Sequence, residues 1–362
     1  MKNKPSLLLL FSVFLSLCSA AQERLWNDLN PTEQGLAQRR MAASPWPGKH
    51  RLVKLNTAIA KQLQQLAPMD NTQAPFPVTA VPFGIPLPEG GMHPDIITES
   101  PVLSPNMQTL YPSIKTYRLR DEKSKRFTGR ITITPEGVNG LIFTDSGAAY
   151  ISRAPEYGAD AHVVYYVKDI ELPVTLRCTA EEELNKVAAH QLPGSSTPLA
   201  GDCQLRTYRV AVSATGEFTQ WAGSVSNAVA SITSTINAVS AIYERDATIR
   251  FILVNNTNVI FSDPDNDPFP TTNIPDLNTL NINHATLTNS IGSSNFDLGM
   301  VFNRGWDGGL ARLNSTCITS SKGSNAAGLS FGTGSNPVQG PQGPVFIGTV
   351  APGDRGPDRP AR

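Results

Sequence analysis

The order of elements between residues 206 and 261 limits the fold more than any other feature of the chain. Arg206 to Ala214 carries Tyr208, Val210 and Val212 at alternate positions, the period of a strand. Gly216 to Gly223 reads as a turn. Val225, Val229, Ile232, Ile236, Val239 and Tyr243 then recur at three- and four-residue steps, which puts them on one face of a helix of about 20 residues. Ala247 to Phe261 returns to a strand pattern: Ile249, Phe251 and Leu253 alternate, Asn255-Asn256 turns, and Val259-Ile260-Phe261 resumes. Strand, helix, strand is a βαβ unit, and its two strands must run parallel. A second helix is expected over Leu280 to Ile291 and a third strand over Asp297 to Phe302. From Gly308 to Gly343 the chain is glycine-rich, with an edge strand and loops expected. Gly343 to Ala351 reads as the opening turns of a buried helix, with Pro344 at a first helical position, where its missing N–H costs nothing, and Val350 among the apolar residues. Pro352 to Arg362 holds three Pro, two Gly and five charges in eleven residues, and no helix continues through it.

The N-terminal half follows a different period. Lys54 to Ala67 has Leu55, Ile59, Leu63 and Leu66 at helical spacing. Proline and glycine between 68 and 105 leave room only for short extended pieces. Between 106 and 178 the alternation is that of strands: Thr116 to Arg120, Arg130 to Thr134, Gly140 to Phe143, Ala149 to Ile151, and His162 to Val167. Short runs with turns between them predict an antiparallel meander or sandwich. His162, inside a Val/Tyr run, reads as a sheet residue. Thr179 to Leu192 reads as helical, with Glu181, Glu182 and Glu183 in its first turn. Pro193 to Pro198 reads as an exposed linker and sets a domain boundary. The whole is α+β: a β-rich part over 22–195, then an α/β part over 203–351.

Thirty basic and thirty acidic residues cancel, so charge gives no reason to expect nucleic acid or an anionic membrane as partner. Lys2 and Lys4, the apolar run Leu7 to Leu17, and the small residues Ser19, Ala20 and Ala21 form a secretory signal peptide over 1–21. The product is expected to be secreted, extracellular and free of the membrane after cleavage at Ala20–Ala21. Cys18 raises the possibility of a lipoprotein signal, but Leu17 before it fits one poorly, so Cys18 is expected to leave with the signal. Cys178, Cys203 and Cys317 remain, an odd number for an exported chain.

Tyr208 to Thr219, then Ile236 to Asp246 with Ile249 to Val254, then Phe296 to Phe302 and Gly309-Leu310-Ala311, resemble the successive strands and long helix of reprolysin-like zinc metallopeptidases of the metzincin clan, in their secreted bacterial form. Tyr111 to Tyr117 and Ile133 to Val138 resemble the prodomain of the same proteins. The resemblance covers roughly residues 45–351. It implies a prodomain over 22–195, a metzincin-type catalytic domain begun at 203, zinc as cofactor, and a protein or peptide as substrate. In that family the helix begun at Pro344 carries H-E-x-x-H-x-x-G-x-x-H, whose histidines bind zinc and whose glutamate is the general base. The metal lowers the pKa of its water toward about 7 and polarises the scissile carbonyl. In this sequence Val350 and Ala351 are followed by Pro352 and Gly353 where the first histidine would stand. His50, His93, His162, His190 and His284 include no pair at i, i+4. The expectation is therefore an incomplete catalytic domain, cut before its ligands by a frameshift or fragment end, with residues 352–362 an aberrant tail. No catalytic or metal residue is assigned, no zinc is expected on these residues, and no peptidase activity from them alone.

The resemblance also implies that Cys317 pairs, in relatives, with a cysteine beyond the zinc motif. Cys178 and Cys203 flank the connector and can close a loop of about 25 residues, worth about 3 kcal/mol in the chain-entropy account; alternatively Cys178 is a zinc-blocking thiolate. A different class stays open beside the peptidase: a non-catalytic exported protein that binds a partner or inhibits a protease. Asp263, Asp265 and Asp267 alternate as calcium ligands do, but Pro268 and Ile274 stand where an EF-hand loop needs Gly and Glu, so the run reads as a solvated turn. Asn255-Asn256-Thr257 is a glycosylation sequon by pattern.

Overall fold

The computed structural model describes residues 24–29, 46–70, 81–170, 204–254, 257–271, 275–306, 309–312 and 315–329. They form an α+β structure with two large sheets.

The first sheet has nine strands: β1 (Trp26–Asp28), β2 (Arg51–Leu55), β3 (Val81–Pro82), β6 (Asp95–Glu99), β7 (Lys115–Asp121), β8 (Phe127–Thr134), β9 (Gly137–Thr144), β10 (Gly147–Arg153) and β11 (Ala161–Tyr166). Their order is β1-β2-β11-β10-β9-β8-β7-β6-β3, antiparallel throughout, so β6 to β11 are a meander as the alternation predicts. β4 (Ile85–Pro86) and β5 (Met92–His93) make a small ribbon beside it. Helix α1 (Thr57–Leu66), capped by the Asn56 side chain, covers one face of the sheet. Under it Leu55, Ile97, Tyr117, Leu119, Ile131, Ile133 and Ile142 form an apolar core. His162 is a sheet residue, as its context predicts. Its Nδ1 donates to the Asp160 carbonyl at 2.9 Å and its Nε2 accepts from Val138 N at 2.9 Å. Burial pushes this imidazole down to about 4, so it is held neutral. The ring fits because position 137 is glycine: a Cβ there, at φ +144°, would lie 2.6 Å from Nε2.

The second sheet joins β12 (Arg206–Ala214), β13 (Ile249–Leu253), β14 (Leu298–Arg304), β15 (Gly309–Ala311) and β16 (Asn325–Leu329) in the order β13-β12-β14-β16-β15. β12, β13, β14 and β16 are parallel, and β15 closes one edge antiparallel. Three helices follow after α2 (Pro105–Leu110): α3 (Gly216–Ala222), α4 (Val225–Ala247) and α5 (Leu277–Ile291). Residues 216–223, expected as a turn, are instead a short helix. The Thr215 side chain caps its start and Gly223, at φ 85°, ends it in the left-handed region. β12 matches its expected range to the residue, while the second strand region narrows to β13, a 3₁₀ turn at Thr257–Val259 and a single bridge from Ala214 to Ile260.

Helix α4 lies between the sheets. Val229, Ile232 and Ile236 pack with Val210, Val212, Phe218 and Phe251 of the second sheet's side, as the periodicity predicts. Each such burial contributes about 2 kcal/mol. The opposite face is also covered. Ala238 and Ala241 meet Leu141, Tyr150 and Tyr165 of the first sheet. Beside them a charged cluster crosses the seam. β8 turns Ile131 and Ile133 toward the core under α1 and Arg130 and Thr132 toward α4. Arg130 is fully buried; its Nε donates to Asn237 Oδ1 at 2.6 Å, its Nη1 to Glu244 Oε1 at 2.7 Å and its Nη2 to the Ser100 carbonyl at 2.7 Å. Arg250 Nε donates to the same Glu244 oxygen at 2.7 Å, and its Nη2 lies 3.4 Å from Asp70 Oδ2. Burial alone raises the Glu244 carboxyl, but Arg130 and Arg250 outweigh it and hold the group below the ordinary carboxylate range. Burial pulls Arg130 down to about 10, against the opposing pull of Glu244. Among the described residues α4 is long and apolar enough to cross a bilayer, and most of it is buried inside the structure.

Candidate functional site

In open α/β sheets ligands meet the crevice outside the carboxyl ends of the parallel strands. Here that rim is built by the ends of β12 and β14 and the segments that follow them. Thr215, the first residue after β12, donates its N–H to the Phe302 carbonyl at 3.0 Å and its hydroxyl to Asn303 Oδ1 at 2.6 Å. Gly216 N, in the first turn of α3, donates to Asp267 Oδ2 at 2.7 Å, and Phe269 N donates to Asp267 Oδ1 at 2.7 Å. Burial raises the Asp267 carboxyl, and the two backbone donors pull against that rise. A Cβ at position 216 would lie 2.1 Å from Pro264 N, so glycine is what lets the 263–269 loop rest on α3. Arg304, at the end of β14, stacks over Trp221 at 5.4 Å from the ring centroid.

The three alternating aspartates therefore make a turn that anchors α3. Asp263 Oδ1 accepts from Asp265 N at 3.1 Å, and only Asp267 is drawn inward. At the far edge of the sheet β15 buries Leu310 and exposes Gly309 and Ala311. Among the described residues it has a strand partner, β16, on one side only.

The described histidines are spread over both halves and do not converge. His50 Nδ1 contacts the Pro47 carbonyl at 2.6 Å, His93 Nδ1 contacts Asp95 Oδ2 at 2.9 Å, and His162 uses both ring nitrogens inside the first sheet. His284, on α5, accepts from Gly323 N at 3.2 Å. His190 lies outside the described residues. Cys317 is exposed, without a disulfide among the described residues, and its N–H donates to the Asp297 carbonyl at 2.8 Å. Ala20, Ala21, Cys178, Cys203, Pro344, Val350 and Ala351, and with them the signal peptide, the proposed disulfide, the start of the zinc helix and the tail, lie outside the described residues.

Residues 204–340 match the family model described as metallo-peptidase family M12B, reprolysin-like. That span of the chain is similar to reprolysin-like metallopeptidases. No curated protein matches the chain. The reprolysin-like segment takes in all five strands of the second sheet together with α3, α4 and α5.

Enzymes of this family depend on zinc in general, and the described residues would have to supply its ligands. They do not fit: among them no three His, Cys, Asp or Glu side chains converge, and the oxygens of Asp267 are taken by backbone donors. No chemical step is derived through a metal on these residues. Sequence reasoning missed two features of the structure, one at the rim and one at the seam between the two sheets. The Thr215–Asn303 contact joins residues 88 apart, and the Arg130–Glu244 pair joins residues 114 apart. The first had a signal, Thr-Gly directly after a strand, which is an N-cap pattern. The second had none within either stretch.

Proposed function

We propose that the chain belongs to the precursor of a secreted zinc metalloendopeptidase, with residues 22–195 as prosegment and 203–351 as the first part of the catalytic domain. The observation that carries this is the family match over 204–340, which falls on the βαβ-built sheet with its antiparallel edge strand. The substrates are proteins or peptides in extended form. β15 supplies a sheet edge to which such a chain adds by main-chain hydrogen bonds, with Gly309 and Ala311 too small to obstruct it. The rim around Thr215, Asn303 and Asp267 fixes α3 against the sheet. The described residues supply substrate binding and scaffold, and no metal-ligand cluster is placed among them.

Two measurements test the reading. Metal analysis of the purified chain is expected to find far less than one zinc per molecule; a full equivalent, with casein cleavage abolished by a chelator, would overturn the assignment of no metal ligand to these residues. The coding sequence after codon 351 is expected to encode H-E-x-x-H in one of its frames. A continuous frame without that motif would favour the non-catalytic binding protein. Export is checked separately: the secreted product should begin at residue 21 or 22.

A further inference from the structure

The N-terminal half completes both the core and the sheet of the reprolysin-like segment. Val102, Leu103, Met107 and Ile114 precede the matched span by about ninety residues or more, yet all are buried in the cluster that holds Val210, Phe251, Leu253 and Ile260. Leu253 N donates to the Val102 carbonyl at 2.7 Å and Ser104 N donates to the Leu253 carbonyl at 2.9 Å, so residues 102–104 run parallel to β13 and occupy its outer edge. On the neighbouring face Arg130 reaches Asn237 and Glu244 of α4. Removing the N-terminal half would open the edge of β13, uncover an apolar cluster and take Arg130 from Asn237 and Glu244, its acceptors across the seam. Each is unfavourable for both halves.

We propose that the N-terminal half is a permanent non-covalent subunit of the reprolysin-like segment, so that cutting the connector between residues 170 and 204 leaves a two-chain assembly and not a freed C-terminal half. The docking surface is the second face of α4 with the outer edge of β13. Its occupant is the polar face of β7 and β8 together with residues 102–114. Glu244 is the key of the contact. It retains Arg250 within its own half, whereas Arg130 depends on the seam for two of its three side-chain partners. None of this requires peptidase chemistry, and its test reads association alone.

The experiment replaces residues 193–198 of the full chain by a site for a specific protease, cuts it, and follows the two pieces by gel filtration under native conditions at falling concentration. The pieces are expected to co-elute at nanomolar concentration and to part only in denaturant. Glu244→Gln should speed dissociation of the nicked protein at least about tenfold, the scale of one lost charge-assisted contact. The paired change Arg130→Met with Glu244→Met should dissociate more slowly than either single variant, which general loss of structure would not produce. Where Glu244→Gln fails to fold, Met107→Ala probes the other contact and should also speed dissociation. Separation of the nicked parent protein at micromolar concentration into two monodisperse pieces would overturn the proposal. So would a dissociation rate that neither substitution changes.

Discussion

Helix α4 is buried on two faces of opposite chemistry. One presents Val229, Ile232 and Ile236 to the sheet of its own segment; the other presents Asn237, Ala241 and Glu244 to a sheet about a hundred residues earlier. The apolar face accepts any partner of suitable shape, because hydrophobic burial has no direction. The polar face accepts one geometry, since Arg130 must meet an amide oxygen, a carboxylate and a carbonyl at once. Such a buried ion pair adds little net stability over an apolar replacement, but breaking it strands a charge. The comparison teaches that the first face holds the segment together and the second fixes what it is held against.

The largest expected effect breaks the second face. Glu244→Ala leaves Arg130 and Arg250 facing each other without their shared carboxylate and should cost about 3–5 kcal/mol in urea unfolding. A cost under about 1 kcal/mol would mean that the polar face is solvated in solution and that α4 has only one structural face. On the first face Ile232→Ala removes methylenes from a fully buried site and should cost about 3 kcal/mol. The two differ in repair. Ile232→Leu should recover most of its loss, whereas Glu244→Asp, one methylene shorter, should recover little because Arg130 is held in place by its other contacts.

The pH dependence separates the first sheet from the seam. His162 is held neutral with a pKa near 4, below the 6.5 of an unfolded histidine. As pH falls through 6.5 the unfolded chain takes up a proton that the folded chain refuses, so stability declines between pH 6.5 and about 4 and then levels, by about 3 kcal/mol in all. His93 is shifted upward by its hydrogen bond to Asp95 and acts in the opposite sense: it contributes fully below pH 6.5 and loses that contribution as pH rises through its folded value. Glu244 is shifted down, so its contribution is lost only under acid, below the ordinary glutamate range. Urea midpoints across pH 4–7 should fall toward acid in the parent chain and flatten in His162→Gln. A parent profile that is flat below 6.5 would contradict the buried neutral imidazole.

Much of the fold was legible because period and burial agree. β12 carries apolar residues on the side that meets α4, and α4 repeats them at helical spacing, so strand, helix and parallel partner followed from residues 206–253 alone. The meander was legible for the same reason, and β8 shows where that reasoning stops. Arg130-Ile131-Thr132-Ile133-Thr134 alternates as a strand with one wet face does, yet its polar face is as dry as its apolar one. Alternation reports the chemistry of a face and not what covers it. The helix at 216–222 was missed because Gly216 and Gly223 suggest a turn; both are in fact its boundaries, one admitting the 263–269 loop and the other a left-handed cap. The candidate rim was only half legible, since Asn303 and Asp267 acquire a role through contacts with residues far away in the chain.

The smallest expected effect sharpens the comparison by contrast. Arg209 and Asp297 form the same kind of pair as Arg130 and Glu244, with Nη2 2.7 Å from Oδ1 and Nε 3.1 Å from Oδ2, but at the surface, where the arginine side chain is 44% exposed. Both partners keep water in either state, so geometry alone gains little. Arg209→Ala should cost less than about 1 kcal/mol, and the cost should shrink further in 1 M salt, where screening acts within about 3 Å. Arg209 is the informative member to change, because Asp297 also accepts the Arg209 backbone N–H at 2.8 Å and its loss would remove a main-chain contact as well. The Arg130–Glu244 pair, closed off from solvent, should show no such salt response. If both pairs respond alike, in size and in salt, then the seam is open to water and the distinction between the two faces of α4 is one of composition only.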